Sequence, residues 1–591
     1  MTRQYPIFLF SLLMLLPGFL SRVSAQQDST KLNQEVEVVK AYKPSVSNAQ
    51  KINLLPEIGD TTRFRPDLNY GIISHPVTSG FHSSEVKAYD QFQREISIPG
   101  YGKISGGFGS YLTPFLDFYL SNPNSQNGSL GMQLNHLSSR GRINLKGGGS
   151  TDAPFSYNRA LFFGSYVYEG VTVSSEISYQ RDMNRFYGYP IPVPASLAGN
   201  KVAKYFNTDQ LNQSGYFDLS VKSNASSVAA LKVNTGINLG YFNTSTGQTE
   251  KAIRLRGDFD YDFGTFTGKL KAGFEHFETD QVTDQPDLVA LNSPASSWIV
   301  LKPSIGYKSD HFALEGGLNL YTVFDKIYGN SFKPYPAAKL SIHALDNKLT
   351  LYAGLDGYLQ NNDYATIAAE NRWINPTLTV KPSNHLNVVS GGIKGKIAIP
   401  FAFDFGIKYG KTENQYFYVT RVENNYASSS STALNYNNAF EVVYDNLTTV
   451  DFSGDLTYTT PQLFLLLSGH FYNYQLTALE KAPYQPDFTL RAATEFSVTD
   501  KIRATAELSL TGPRNVMLKF YPPIVASANP PVPIYVQTEA MTAINLGVKY
   551  QLSNHLSLFG KIENLLDKKD EQWYGYTEQG LRFKVGGSFS F

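Results

Sequence analysis

The strongest pattern in this chain has a period of two. In AIRLRGDFDYDF, Ala252 to Phe263, an extended strand places Arg254, Arg256, Asp258, Asp260 and Asp262 on one face. Ile253, Leu255, Phe259, Tyr261 and Phe263 fall on the other. The alternation returns with Ile502, Ala504, Ala506, Leu508 and Leu510 against Arg503, Thr505, Glu507 and Ser509. It returns again with Ile544, Leu546, Val548, Tyr550 and Leu552 against Asn545, Lys549 and Gln551, and with Leu581, Phe583, Val585, Phe589 and Phe591 against Arg582, Lys584, Ser588 and Ser590. No helical period of comparable strength follows residue 25. Two architectures use such strands: a soluble sandwich, and a wall between lipid and a watery lumen.

Connection lengths separate the two. Short links at Asn224, Asp262, Lys308, Leu345, Thr459, Val498 and Leu552 alternate with long polar or proline-rich segments. The clearest long segments run over about Asn184 to Gln213, Thr279 to Ser296, Asn361 to Ser383, Glu423 to Asn437 and Gly512 to Gln537. Short turns on one side and long loops on the other mark an up-and-down barrel, whereas an open sandwich leaves exposed edges and needs no such alternation. With both chain ends in the periplasm, the count back from Phe591 closes at about 22 strands, the first near Tyr101 to Ser110 and the second near Pro114 to Ser121. It closes only if RGRINLKGGG, Arg140 to Gly149, belongs to an outer loop. The expected fold is an all-β transmembrane antiparallel barrel over residues 99–591, with short periplasmic turns and long extracellular loops.

The first 25 residues agree with that destination. Arg3, the apolar run Ile7 to Leu20 and the small-x-small ending at Ala25 read as a secretory signal peptide cut before Gln26. The apolar run is shorter than the roughly 20 residues of a membrane-crossing helix. Later apolar stretches, such as Leu463 to Leu467, are shorter still, so any membrane crossing falls to a closed barrel, which pairs all its backbone polar groups. The chain has no cysteine, which removes disulfides, thiolate metal sites and a lipid-bearing N-terminal cysteine. Loss of Arg3 and Arg22 with the leader takes the 51 basic residues to 49, against 50 acidic ones. That balance implies no attraction to nucleic acid. The 39 Tyr and 39 Phe suit interfacial girdles, and outer-membrane lipid is the expected partner of the apolar face. Arg254, Arg256, Asp258, Asp260 and Asp262 are then expected to wall the lumen.

The C-terminal segment carries a resemblance. NHLSLFGKIENLLDKKDEQWYGYTEQGLRFKVGGSFSF, Asn554 to Phe591, resembles the end of TonB-dependent receptors. The likeness rests on Asn564, Leu565, Leu566, Asp567, Lys568, Tyr574, Gly575, Tyr576, Gly580 and the terminal Phe591. It implies an outer-membrane receptor or transporter of a Gram-negative bacterium, with Phe591 as the signal for the membrane-insertion machinery. The N-terminal side departs from that family. Residues 26–98 are extended, proline-punctuated and too short for its lumenal plug, and look like the start of plug-lacking receptor-like proteins of Bacteroidetes. Within them Glu35, Val36, Glu37, Val38 and Val39 form a TonB-box-like strand able to add to a partner's sheet edge, or an ordinary strand or tether.

A 22-strand barrel without a plug needs another closure, from residues 26–98, from the outer loops, or from a separate protein. The loop FYPPIVASANPPVPIYVQ, Phe520 to Gln537, is stiff and apolar enough to meet a partner or to cap its own rim. Enzyme chemistry finds no motif, and no cofactor is expected. DFDYDFG departs from a calcium loop in its glycine position and in Lys269, and the nine histidines are scattered singly. Two functions stay open: receptor-like transport of a nutrient, with TonB or a periplasmic or surface protein as partner, or a non-transporting β-barrel subunit of an outer-membrane assembly or surface protein complex.

Overall fold

The computed structural model describes residues 101–591 apart from 123–126, 147–148, 189–201, 204–207, 225–230, 281–294, 346–347, 376–377, 379, 399, 426–432 and 522–532. Of the two compact units, Met1–Pro76 and Val77–Phe591, the described residues belong to the second. The leader and Glu35 to Val39 lie outside them.

The chain enters at β1 (Gly102–Gly109) and continues through β2 (Thr113–Ser121) and β3 (Gly128–Ser139). A hairpin of β4 (Arg142–Asn144) and β5 (Ser150–Asp152) then stands apart as its own two-stranded sheet. RGRINLKGGG therefore does lie in a loop, the condition on which the strand count rested. The wall resumes with β6 (Phe155–Tyr168) and β7 (Val171–Phe186), and the next loop carries the two-residue β8 (Val202–Ala203). β9 (Thr208–Ser223), β10 (Leu231–Thr244), β11 (Thr249–Asp262) and β12 (Phe266–Asp280) follow. Next come β13 (Ala295–Lys308), β14 (Phe312–Asp325), β15 (Ser331–Ala344) and β16 (Leu349–Gln360). Past the one helix among the described residues, α1 (Tyr364–Glu370), lie β17 (Ser383–Ala398) and the long pair β18 (Phe401–Asn425) and β19 (Ala433–Thr459). β20 (Leu463–Leu476), β21 (Phe488–Ser497) and β22 (Ile502–Thr511) complete this arc. A loop bearing β23 (Asn515–Tyr521) and β24 (Ile534–Gln537) leads to β25 (Met541–Gln551), β26 (Leu556–Glu563) and β27 (Arg582–Ser590).

β27 pairs antiparallel with β1, Phe589 opposite Ile104 and Val585 opposite Phe108, so the sheet closes on itself. Without the loop strands β4, β5, β8, β23 and β24, the closed wall has 22 strands, all paired antiparallel. Gly102 and Phe591 exchange backbone hydrogen bonds of 2.9 Å at the seam, and the Phe591 ring lies where a side chain on residue 102 would stand. The seam fixes one rim, the turn end. The long connections gather at the other, the loop end.

The period-two pattern becomes two faces. Ile237, Leu255, Phe274 and Ile299 stand side by side across β10 to β13, and Leu255, Phe274 and Ile299 are exposed. Such apolar rows suit lipid, where a charge at mid-membrane costs roughly 2 to 4 kcal/mol. The opposite face is tied together by ion pairs between strands: Arg256 with Asp218 at 2.8 Å, Lys269 with Glu315 at 2.7 Å, Arg491 with Glu507 at 2.8 Å. Arg582 and Lys584 share Glu563 at 3.1 Å each. No helix among the described residues is long and apolar enough to cross a membrane.

Candidate functional site

The main buried core belongs to the loops. Ile143 and Leu145 from the β3–β6 loop, Phe186 and Tyr187 from the top of β7, and Tyr364, Ile367 and Ile374 from the β16–β17 loop pack in one cluster. Tyr416, Tyr418 and Phe440 from the upper β18–β19 hairpin, Tyr484, Val516, Leu518, Trp573 and Tyr576 complete it. These residues come from strands all around the wall, so their contacts form a lid at the loop end. Aromatic side chains are 11 of the 21 buried residues of this cluster.

Two loops anchor the lid. In the β26–β27 loop, Trp573 and Tyr576 close a tight turn, with Tyr576 N–H donating to the Trp573 carbonyl at 2.8 Å and Gly575 at φ +87°. That positive φ favours glycine. The Tyr576 ring stacks on Trp373 at 4.0 Å and meets Tyr187 edge-on at 5.0 Å. Trp573 meets Tyr418, Phe440 and Tyr484 at 4.7, 5.4 and 5.0 Å. Arg514 donates to the Glu571 carbonyl at 2.9 Å. Burial pulls the Arg514 guanidinium below its ordinary pKa and pushes the Glu571 carboxyl above its own.

The second anchor is the β16–β17 loop with α1. Asp363 caps the helix, accepting from Thr366 N–H at 2.7 Å. Glu250, at the loop end of β11, accepts from Tyr364 N–H at 2.7 Å and Ala365 N–H at 2.8 Å. At the far end Glu370 accepts from the hydroxyls of Tyr416 at 2.7 Å and Tyr418 at 2.6 Å on β18. Beyond α1, Phe440 N–H donates to the Trp373 carbonyl at 2.8 Å and Asn375 N–H to the Phe440 carbonyl at 2.7 Å. The loop is thus a strap fastened to β11 on one side and to β18 and β19 on the other.

Beneath the strap lies a cleft against β9 to β14, lined among others by Tyr216, Ala252, Arg254, Phe277, Asn362 and Asp363. Arg254 reaches Asn238 at 3.2 Å and Asp363 of the strap at 3.7 Å, with its guanidinium over the Phe277 ring at 5.0 Å. Of the other charged positions singled out on β11, Arg256 pairs with Asp218 and Asp262 with Lys232 at 2.8 Å. Asp258 stands opposite Asn234 and Lys271, and Asp260 opposite Lys232 and Lys269. Only Arg254 joins the cleft. Among the described residues no group of three His, Cys, Asp or Glu is placed to hold a metal ion.

The apolar loop from Phe520 to Gln537 is described at its ends. Ile534 and Val536 on β24 pack on the same lid as Val516 and Leu518 of β23. Sequence reasoning missed α1, Glu250 and Asn362. The signal for α1 was present in Asp363 followed by the alanine-rich YATIAAE, a capping residue before good helix formers.

The sequence matches no known protein-family profile. Solved structures resemble the fold closely. The FrpB iron transporter of Neisseria meningitidis, F5-1 variant in its apoprotein form, superposes with a TM-score of 0.61 at 11% identity, over 84% of this chain and 81% of that one. The ferric-catecholate import receptor Fiu of E. coli K12, in its closed form, gives 0.59 at 10% identity over 83% and 82%. The copper transporter OprC gives 0.58 at 13% identity over 83% and 80%. This chain therefore shares the barrel fold of these transporters and import receptors.

Proposed function

We propose that this chain is an outer-membrane importer or receptor of the TonB-dependent-receptor type, acting on a nutrient still to be identified. One observation carries the reading: a closed 22-strand antiparallel wall, matched over more than four fifths of the chain by proteins named as iron, ferric-catecholate and copper transporters or receptors. On this reading the turn end faces the periplasm and the lid faces outward. Residues 1–25 are a leader, and residues 26–98 are a periplasmic or lumenal segment. Glu35, Val36, Glu37, Val38 and Val39 make the TonB contact by strand addition. Arg254, Arg256, Asp258, Asp260 and Asp262 belong to the lumen wall, and Phe591 is the mark read by the insertion machinery. The loop-built lid is the outer closure.

The lid also favours a second reading. A mouth welded by aromatic stacking suits a non-transporting subunit of an outer-membrane assembly, in which the receptor barrel is kept as a scaffold. One comparison separates the two. A strain lacking the chain is complemented with the full protein or with a form missing Glu35 to Val39, and growth is scored across single-nutrient media. Import predicts that both the deletion strain and the trimmed form fail on the same medium. Growth on every medium, with stable co-purifying partners, would select the subunit.

A further inference from the structure

We propose that the wall carries a lateral portal between β15 and β16, latched from the lumen side, through which an acyl chain passes between the membrane and the barrel interior. The portal goes beyond the importer reading and takes from it only that the loop end faces outward. Three observations converge on it.

The first is a ladder that stops. β15 and β16 pair from Ala344 opposite Leu349 up to Ala338 opposite Leu355, and no further. Above that point, residues 331–337 of β15 still pair with β14, from Ala337 opposite Gly317 to Ser331 opposite Val323. On the far side, β16 still meets β17 at Tyr358 opposite His385 and Gln360 opposite Ser383. Continued upward, the β15–β16 register sets Pro336 against Gly357 and Pro334 against Leu359. A proline has no N–H to give to a ladder and is ordinarily confined to sheet edges. β15 is therefore an inner strand toward β14 and an edge toward β16. The neighbouring β13–β14 ladder also jumps, from Leu301 opposite Leu320 to Ser304 opposite Gly317, at Pro303.

The second is what replaces the ladder. Backbone polar groups without partners are costly inside a membrane. Gly357 takes its partners from side chains: its carbonyl accepts from Asn319 Nδ2 at 2.9 Å, and its N–H donates to Asp356 Oδ1 at 2.9 Å. Asn319 Nδ2 also donates to Asp356 Oδ1 at 2.7 Å. The Tyr335 hydroxyl donates to Asn384 Oδ1 of β17. Asn319 of β14 and Tyr335 of β15 thus reach across the seam as two side-chain latches. They release by rotamer change, with no rung of backbone bonds to break.

The third is the chemistry on each side. On the outer face Phe332, Pro334 and Pro336 are exposed, Pro336 beside Leu318 and Pro334 beside Leu320. Phe332 ends this face toward the loops, and Ile342, opposite Phe312, ends it toward the turns, so the seam lies in the outward half of the apolar band. On the inner face Trp298, Tyr321, Val323 and Tyr335 form a buried cluster, with Tyr358 and Leu359 packed against it. Elsewhere the inner face is laced with ion pairs such as Lys269 with Glu315. A path from lipid to an aromatic cluster suits a hydrocarbon chain and offers a strongly hydrated molecule little to replace its water.

The test uses the full-length protein in vesicles of phosphatidylethanolamine and phosphatidylglycerol, with diazirine-bearing palmitate or diazirine-bearing phosphatidylethanolamine as probe. After photolysis, label from at least one probe is expected on Trp298 and Tyr358 inside as well as on Leu318 outside. Inner label from the phospholipid assigns the chain to membrane lipid, and inner label from palmitate alone to a free fatty acid. The chain has no cysteine, so an introduced pair can form only its own intramolecular bridge. Pro334→Cys with Leu359→Cys, oxidised, is expected to remove the inner label and spare the outer, and reduction to restore it. Leu340→Cys with Ala353→Cys, opposite each other on the intact ladder, is expected to change neither. Pro334→Thr with Pro336→Thr returns two N–H groups to the ladder and is expected to lower the inner label several-fold. Heat-modified gel mobility shows that each barrel is folded. Outer label alone with both probes would overturn the proposal, as would inner label unchanged by the oxidised seam pair. If that pair does not oxidise, inner label unchanged in the threonine variant overturns it equally. None of these readouts involves a nutrient, so the portal and the importer reading can fail separately.

Discussion

Tyr576 joins parts of the chain that are hundreds of residues apart. Its ring packs on Trp373 and Tyr187, its hydroxyl donates to the Asn438 carbonyl, and Gly188 approaches so closely that a Cβ there would fall within 2.5 Å of the ring. Truncating so large a buried ring costs on the order of 3 to 5 kcal/mol. Tyr576→Ala is therefore expected to speed hydrogen exchange around Trp373 and Phe440 while the wall strands stay protected. Equal loss of protection in wall and lid would show that the two are one cooperative unit. The nearby motif has a physical reading as well. Asn564 bonds both the N–H and the carbonyl of Lys568, at 3.2 and 2.8 Å, and Asp567 accepts from Leu581 N–H at 2.7 Å. A Cβ on Gly580 would come within 2.2 Å of that Asp567 oxygen. Gly580→Ala should thus displace the Asp567 carboxylate from Leu581 N–H and destabilise the start of β27, seen as a lower unfolding temperature. On the wall, Leu255→Lys should cost roughly 2 to 4 kcal/mol in folding into lipid bilayers, and Ile253→Val almost nothing. At this scale the sequence exposed the alternation fully, because a strand between two solvents cannot hide its faces. It also showed Asn564, Asp567, Tyr576 and Gly580 as a resemblance. It did not show what they touch, since their partners lie in other loops.

Among elements, α1 joins two sides of the barrel. Its first amides lean on Glu250 of β11 and its last residue on two tyrosines of β18. Losing the Asp363 cap costs about 1 kcal/mol in typical helices, and Glu250 satisfies two further amides. Glu250→Ala and Asp363→Ala together are expected to make the β16–β17 loop cleavable by added protease in folded barrels. A loop as resistant as in the parent would mean that packing alone holds the strap. Strands were legible here because long runs repeat one period and the turns between them are short. A seven-residue helix is too short to show a period, and its stability comes from residues far along the chain. The β18–β19 hairpin shows the same limit. Glu423 to Asn437 reads as a polar loop, yet β18 runs to Asn425 and β19 starts at Ala433, paired as one ladder.

For the whole molecule, parity and loop length were enough to close the barrel at 22 strands, because every strand must find two neighbours. How the mouth is covered was open among residues 26–98, the outer loops and another protein. The described loops supply a cover of their own, built from aromatic residues that in sequence look like loop or girdle positions. The cover's existence depends on contacts between loops, which no single segment encodes. On the importer reading, this lid closes the outer mouth. Single-channel conductance in planar bilayers tests it with three proteins: the full chain, a form lacking Gln26 to Ile98, and the full chain with Glu250→Ala and Tyr576→Ala. The first two are expected to stay closed and the lid variant to pass large currents. A large open pore in the truncated form, with its lid residues unchanged, would contradict it.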